Sequence, residues 1–315
     1  MPIVMLVLAL FAASDSCRVT KDLRIPTPDG RVIAAVLETA DPSVARPTVL
    51  LISGAGAWDR NYFTVATALG TDGAYRFMAA RLVSLGFAVL RFDEAGTGES
   101  TGNYLKQATT ASLAKDVETI IAALRLLPEV DKARISLIGH SEGGAIAGLV
   151  GAHDAGLGAI VMLAAPSRTG RRVMEYQREI GPSKWTWGVN VTPEDKRTYV
   201  DKEGARRMAT EAWYPFFLDY DPLPPAQLLK MPVLVVQGTD DWFVSPDQGR
   251  EIATAIRLGG NADVTLAELK GHDHDLSDPA FDKYPPRLSI EMLRLVELWL
   301  GQRQWPQALP RACAH

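Results

Sequence analysis

Only two cysteines occur among the 315 residues, Cys17 and Cys313, near opposite ends of the chain. That excludes a disulfide scaffold and any local CxxC redox pair or zinc knuckle, and two thiolates alone do not close a tetrahedral metal site. No metal or organic cofactor is expected, and the two thiols read as incidental or, in an exported protein, as a terminal staple. A basic excess is missing too: 33 Lys and Arg stand against 37 Asp and Glu, for a net charge of −4. With no Lys/Arg run interleaved with aromatics, nothing holds a phosphate backbone, so nucleic acid is not an expected partner. Pro2–Ala13 is an uncharged apolar run too short to span a bilayer comfortably, followed by Ser14, Asp15 and Ser16. We read residues 1–16 as a signal peptide, which implies a secreted or periplasmic protein without stable membrane insertion. No Lys or Arg precedes the run, which leaves a membrane-associated or cytoplasmic chain as the alternative.

What is present is the balance of an ordinary globular protein, 47% hydrophobic and 22% charged, long enough for one large core with an insertion. Two alternating stretches, Arg18–Ile25 and Val32–Glu38, flank the turn signal Pro28-Asp29-Gly30 and predict a hairpin at a sheet edge. Apolar runs at Thr48–Ile52, Ala88–Phe92, Arg134–Ile138 and Ala159–Leu163 then alternate with helical patterns at Tyr75–Leu85, Leu113–Leu127 and from Ser141. The alternation resumes with Val233–Val236, a helix over Pro246–Ile256, Val264–Leu269 and a last helix over Leu288–Leu300. This order is that of an α/β fold, a mostly parallel sheet with helices on both faces.

Between the two halves, residues 166–225 lack β-branched runs and are rich in aromatics. A segment this long is seldom a bare loop, so it is expected to be a helical cap, the core being 17–165 and 226–315. Trp185, Trp187, Trp213 and Phe217 in the cap, with Trp58 after the third strand, are candidates for lining a substrate pocket, or else simply form the cap's own small core.

Gly139-His140-Ser141-Glu142-Gly143 fits G-x-S-x-G. Chance alone produces such a pentapeptide in roughly one chain in ten of this length, so the pattern is weak by itself. Its context is stronger, because it follows a β-run and opens the small-residue helix Gly143–Gly148, the strand–turn–helix setting of a nucleophile elbow. A serine hydroxyl needs a base, and the base needs a carboxylate to hold its tautomer. His272 and His274 follow the last β-run, and Asp240 and Asp241 follow the strand before it. Nucleophile, acid and base therefore come in the order that an α/β-hydrolase requires, with either aspartate and either histidine still open. Gly96, Gly98 and Gly102 lack the lysine and spacing of a phosphate loop and read as a tight turn.

From Leu50 to Leu300 the chain resembles the α/β-hydrolases of the serine-aminopeptidase-like and dienelactone-hydrolase-like branch, among them many exported bacterial enzymes. The residues that carry the likeness are Leu51–Gly56 with Asp59-Arg60, Phe92–Ser100, Ile138–Gly144, Phe217–Pro222 and Val236–Asp241. The resemblance implies Ser141 as nucleophile, Asp241 as the acid of its G-x-x-D pattern and His274 as the base of its G-x-x-H pattern. It implies an oxyanion hole from the N–H groups of Glu142 and Ala55, with Gly56 the nearby alternative. Two departures stand out: Ser53 replaces the histidine that usually opens the loop after the third strand, and Ala95 replaces an arginine. The expected activity is hydrolysis of small to medium hydrophobic carboxylic esters through an acyl-enzyme. A peptidase or amidase with the same triad, or a non-catalytic binding protein on this fold, is the alternative; oligomeric state is not legible.

Overall fold

A computed structural model describes residues 18–62, 73–184, 192–280 and 287–304. Residues 1–16, Cys17, Trp185, Trp187 and Cys313 lie outside the described residues.

Strands β1 (Val19–Pro26) and β2 (Val32–Thr39) form the expected antiparallel hairpin, with Val19 opposite Thr39 and Pro26 opposite Val32. The chain continues through β3 (Arg46–Ile52), α1 (Ala74–Ser84), β4 (Ala88–Phe92), α2 (Tyr104–Gln107) and α3 (Thr110–Leu124). Then come β5 (Val130–His140), α4 (Glu142–His153) and β6 (Ala159–Leu163). Four helices follow, α5 (Gly170–Lys184), α6 (Pro193–Thr210), α7 (Trp213–Asp219) and α8 (Leu223–Ala226). The chain returns to the sheet with β7 (Val233–Gly238), α9 (Gln248–Leu258), β8 (Val264–Leu269) and α10 (Ile290–Gln304). The eight strands lie in the order β1-β2-β4-β3-β5-β6-β7-β8, antiparallel only where β2 meets β1 and β4.

The central strands are apolar on both sides because both faces are covered. Leu50, Ile52, Ile135, Leu137, Ile160, Met162, Val233 and Val235 point to the face packed by α3, α4 and α9. Their neighbours Val49, Leu51, Ile138, Val161, Leu163, Leu234 and Val236 point to the face packed by α1 and α10. Burial of each large side chain contributes about 1.5–3 kcal/mol, so a one-residue slip of any central strand would misplace several such contributions at once.

Element ends differ from the sequence expectation for local reasons. β5 starts at Val130 because Val130 pairs with Arg46 before an irregularity in the register. α3 starts at Thr110 because Thr109 and Ser112 form a reciprocal capping box. α2 is one turn, set by Asn103 accepting from the Lys106 amide, and is too short for periodicity to reveal. Among the described residues no helix is long and apolar enough to cross a membrane.

Candidate active site

The turn between β5 and α4 places Ser141 at φ 52° and ψ −121°, a conformation costly to any residue with a Cβ. Two features hold it there. The Ser141 amide donates to the Leu163 carbonyl of β6 at 2.7 Å. Gly139 and Gly143 let strand and helix cross closely, since a Cβ on the first would run into the Gly143 backbone and one on the second into the carbonyls of Ile52 and Ser53. Glu142 is the first residue of α4, so its N–H is one of the helix's orphan donors and lies beside the serine.

The loops after β7 and β8 complete a chain of hydrogen bonds. His274 Nε2 is 3.0 Å from Ser141 Oγ and His274 Nδ1 is 2.9 Å from Asp241 Oδ2. Asp241 is buried and accepts three further bonds: Oδ1 from the amides of Phe243 and Val244 at 2.8 Å each, and Oδ2 from Gln237 Nε2 at 2.9 Å. Burial pulls the His274 imidazole down, yet the charge and hydrogen bond of Asp241, helped by the charges of Asp275 and Asp273, outweigh it and hold the pKa above its ordinary value. The pairs that spacing left open separate in space. Asp240 is exposed, and His272 is buried with Nε2 on Ser289 Oγ at 2.8 Å and Nδ1 on the Lys270 carbonyl at 3.2 Å.

His140, the residue before the serine, reaches the loop that carries His274. Its Nε2 donates to the His274 carbonyl at 2.8 Å and its Nδ1 accepts from the Tyr62 hydroxyl at 2.8 Å. Burial, with the neighbouring His274, pushes its pKa down to about 3, so the ring is neutral and both bonds keep these directions. A polar residue at the buried end of a strand must find partners, and that requirement was the available signal.

With Ser53 in place of the usual histidine, the loop after β3 is held by other groups. The Gly56 amide donates to the Tyr104 hydroxyl at 3.0 Å, the Trp58 amide to Glu94 Oε2 at 3.2 Å, and Trp58 Nε1 to the Ala55 carbonyl at 3.0 Å. The Gly56 N–H is therefore engaged with Tyr104. Glu94 is fully enclosed, and burial together with the charge of Glu142 raises its pKa well above the carboxylate range. Arg60 closes the same loop onto the turn after β4 with bonds to both oxygens of Asp93 at 2.9 and 2.6 Å.

Trp213 is buried, its ring stacked on Phe217 at 4.6 Å. Its indole N–H lies 2.7 Å from both carboxylate oxygens of Glu142, which also accepts from Thr110 Oγ1 at 2.5 Å. Trp213 and Phe217 thus belong to the joint between the helical insertion and α4, with Tyr214 and Leu218. Trp58 is half-buried and packs edge-on against Tyr62 at 5.0 Å. The insertion also grips the acid loop, where Tyr176 donates to the Asp241 carbonyl at 3.1 Å and Gln177 to the Phe243 carbonyl at 3.2 Å. Among the described residues no cluster of His, Cys, Asp and Glu suits a metal ion. A hydroxyl on an imidazole that is backed by a carboxylate forms a path for moving one proton away from oxygen and back.

Sheet order, elbow and the line of the three side chains are those of the α/β-hydrolase fold, which solved structures of similar topology share. The family described as serine aminopeptidase, S33 matches residues 45–185. No curated protein matches the chain in sequence. Among solved structures the fold is similar to that of an esterase of Pyrococcus furiosus, at 18% identity and TM-score 0.67, covering 95% of this chain and 96% of that one. It is similar to an α/β hydrolase of Penicillium sp. sh18 at 17% identity and TM-score 0.62, covering 91% and 99%. It also resembles a putative dipeptidyl aminopeptidase IV of Bacteroides ovatus at 16% identity and TM-score 0.64, covering 91% of this chain and 36% of that one.

Proposed function

We propose that the protein is a serine hydrolase that cleaves neutral, hydrophobic carboxylic esters of small to medium size through an acyl-enzyme. The observation that carries this reading is the unbroken line Ser141 Oγ, His274 Nε2, His274 Nδ1, Asp241 Oδ2, with steps of 3.0 and 2.9 Å. Ser141 attacks the ester carbonyl while His274 takes its proton, and the resulting imidazolium is stabilised by Asp241. The negative oxygen of the tetrahedral species is received by the N–H groups of Glu142 and Ala55, reinforced by the start of α4. His274 returns the proton to the departing alkoxide as the carbon–oxygen bond breaks. Water then repeats the sequence on the acyl-enzyme and frees the acid.

The choice of ester over aminoacyl amide rests on the acids of the insertion. An aminopeptidase needs a carboxylate to hold the free α-amine; Glu175 pairs with Arg172, Glu194 with Arg197, and Glu203 and Glu211 with Arg206 and Arg207, while exposed Glu179 of α5 is the acid that a peptidase reading would call on. Asp195 caps its own helix through Thr192. Glu142, the acid nearest the serine, is occupied by Trp213 and Thr110. A neutral ester needs no such partner and loses little hydration on entering. The test compares p-nitrophenyl butyrate with aminoacyl and prolyl p-nitroanilides on the purified enzyme and on Ser141→Ala. We expect ester turnover to dominate and to fall on the order of 10⁴-fold or more in the variant, with fluorophosphonate labelling lost. Efficient anilide cleavage without ester turnover would replace this reading with a peptidase.

A further inference from the structure

We infer that Phe243 is the wall of the leaving-group subsite and selects esters of aromatic or bulky apolar alcohols. The inference rests on the serine-hydrolase reading above and names the half of the substrate that the reading leaves open.

The direction of the leaving group follows from the proton it must receive. His274 Nε2 delivers that proton, so the departing oxygen sits within hydrogen-bond reach of Nε2, about 3 Å. The carbonyl oxygen turns the other way, toward the amides of Glu142 and Ala55. The alcohol portion therefore extends along the His274 side of the serine. Two rings flank that imidazole. His140 lies 4.9 Å away between ring centroids, tilted by 57°, and is buried. Phe243 lies 5.0 Å away with the rings 29° apart and is 37% exposed. Of the two neighbours, the enclosed His140 ring is closed to an alcohol group beyond Nε2, whereas the Phe243 ring is open to it.

Phe243 is also fixed in place, unlike an ordinary exposed apolar side chain. Its amide donates to Asp241 Oδ1 at 2.8 Å, its carbonyl accepts from Gln177 of α5 at 3.2 Å, and its ring lies 3.9 Å from that of Trp242. Ordering the ring therefore costs little when a ligand arrives, and its free edge offers an apolar, polarisable surface. A cyclic or aromatic alcohol covers that surface, whereas ethanol leaves it wet.

The experiment holds the acyl group constant and varies the alcohol. Ethyl and benzyl butyrate leave as alcohols of similar basicity, so the ratio of their kcat/KM values reports contact rather than leaving-group chemistry. Wild type should favour the benzyl ester, and Phe243→Ala should lower the benzyl-to-ethyl ratio about tenfold, the scale of one aromatic contact with its burial. Phe243→Leu, which keeps apolar bulk, should lower it by less. The ratio of ethyl octanoate to ethyl butyrate, which reads the acyl side, should stay put in both variants. If Phe243 only shielded the Asp241–His274 pair from water, both esters would fall together and the ratio would be unchanged, which overturns the proposal. Ser141→Ala run on the same esters separates the two levels. Retained turnover there removes the serine-hydrolase reading itself, while lost turnover with an unmoved Phe243 ratio removes the subsite alone.

Discussion

Replacing Asp241 by asparagine tests how the base is held. The carboxylate accepts four bonds, two on each oxygen: the Phe243 and Val244 amides on Oδ1, and Gln237 Nε2 and His274 Nδ1 on Oδ2. An asparagine has one acceptor oxygen and one NH₂, so whichever way it turns, the NH₂ faces two donors. Each charge-assisted bond contributes about 1.5–3 kcal/mol, so the loss of two costs about 3–6 kcal/mol before the loop relaxes. The cheaper orientation leaves the oxygen on the two rigid backbone amides and turns the NH₂ toward His274. The imidazole then accepts at Nδ1 and carries its proton on Nε2, facing Ser141, where it is no longer a base. We expect kcat/KM to fall on the order of 10⁴-fold. The pH profile of the residual activity should also move. In wild type the activity should be lost on the acid side as His274 protonates, burial lowering its pKa and mainly Asp241 holding it above the ordinary value. Without that charge burial acts against weaker opposition, so the acid limb shifts to lower pH. The stability linkage has the same origin. A raised folded-state pKa contributes stability that is fully present below the unfolded value of about 6.5 and is lost as pH rises through the folded value, and the variant forfeits it. Measurement of kcat/KM on p-nitrophenyl butyrate from about pH 4.5 to 9, with circular dichroism to confirm folding, decides the matter. A folded variant with an unmoved acid limb would refute this account of His274.

Asp240→Ala should stay within about threefold of wild-type kcat/KM because the residue is exposed, whereas His272→Asn should cost about 1–3 kcal/mol of stability, through the Ser289 bond, without a matching loss of turnover. Thermal melts and butyrate kinetics on both variants check this; a catalytic loss larger than that of His274→Asn would reverse the assignment. Tyr104→Phe removes the acceptor of the Gly56 amide and should lower kcat about three- to tenfold with KM little changed, since the Ala55 donor matters most in the transition state. Trp213→Phe strips the indole N–H from Glu142, whose pKa burial already raises against the bonds from Thr110 and Trp213. The pKa rises further, so the loss of stability should be larger at pH 8 than at pH 5, and equal melting-temperature losses at both would argue against a buried, titrating Glu142.

The strands were legible because both faces of the sheet are covered, which turns Thr48–Ile52, Ala88–Phe92, Ala159–Leu163 and Val233–Val236 into uninterrupted apolar runs. The elbow was legible for a similar reason: Gly139 and Gly143 answer to contacts within a few residues of Ser141 and with one neighbouring strand. Spacing could not decide between Asp240 and Asp241 or His272 and His274, because which neighbour turns inward depends on loops fixed by partners 30 or more residues away. Gly271, for example, is tied by its amide to Thr239 Oγ1, and the Asp240 amide to the His272 carbonyl. The fates of Trp213 and Phe217 were hidden in the same way. Aromatic composition says that a segment buries surface, whereas the partner that Trp213 meets, Glu142, lies 71 residues earlier.

The two residues flanking the serine show how such distant partners serve one atom. In the tight turn His140, Ser141 and Glu142 leave the backbone in three directions. His140 reaches the His274 carbonyl and, through Tyr62, the loop bearing Ala55, so the loops of the proposed base and the proposed oxyanion donor share one buried imidazole. Glu142 reaches Thr110 of α3 and Trp213 of the insertion, while in the proposed mechanism its amide receives the oxyanion. Any shift of α7 that breaks the Trp213 bond leaves that buried carboxylate with the Thr110 bond, on the residue proposed to supply an oxyanion donor. The insertion is thus joined to the residue next to Ser141 by a buried hydrogen bond as well as by packing.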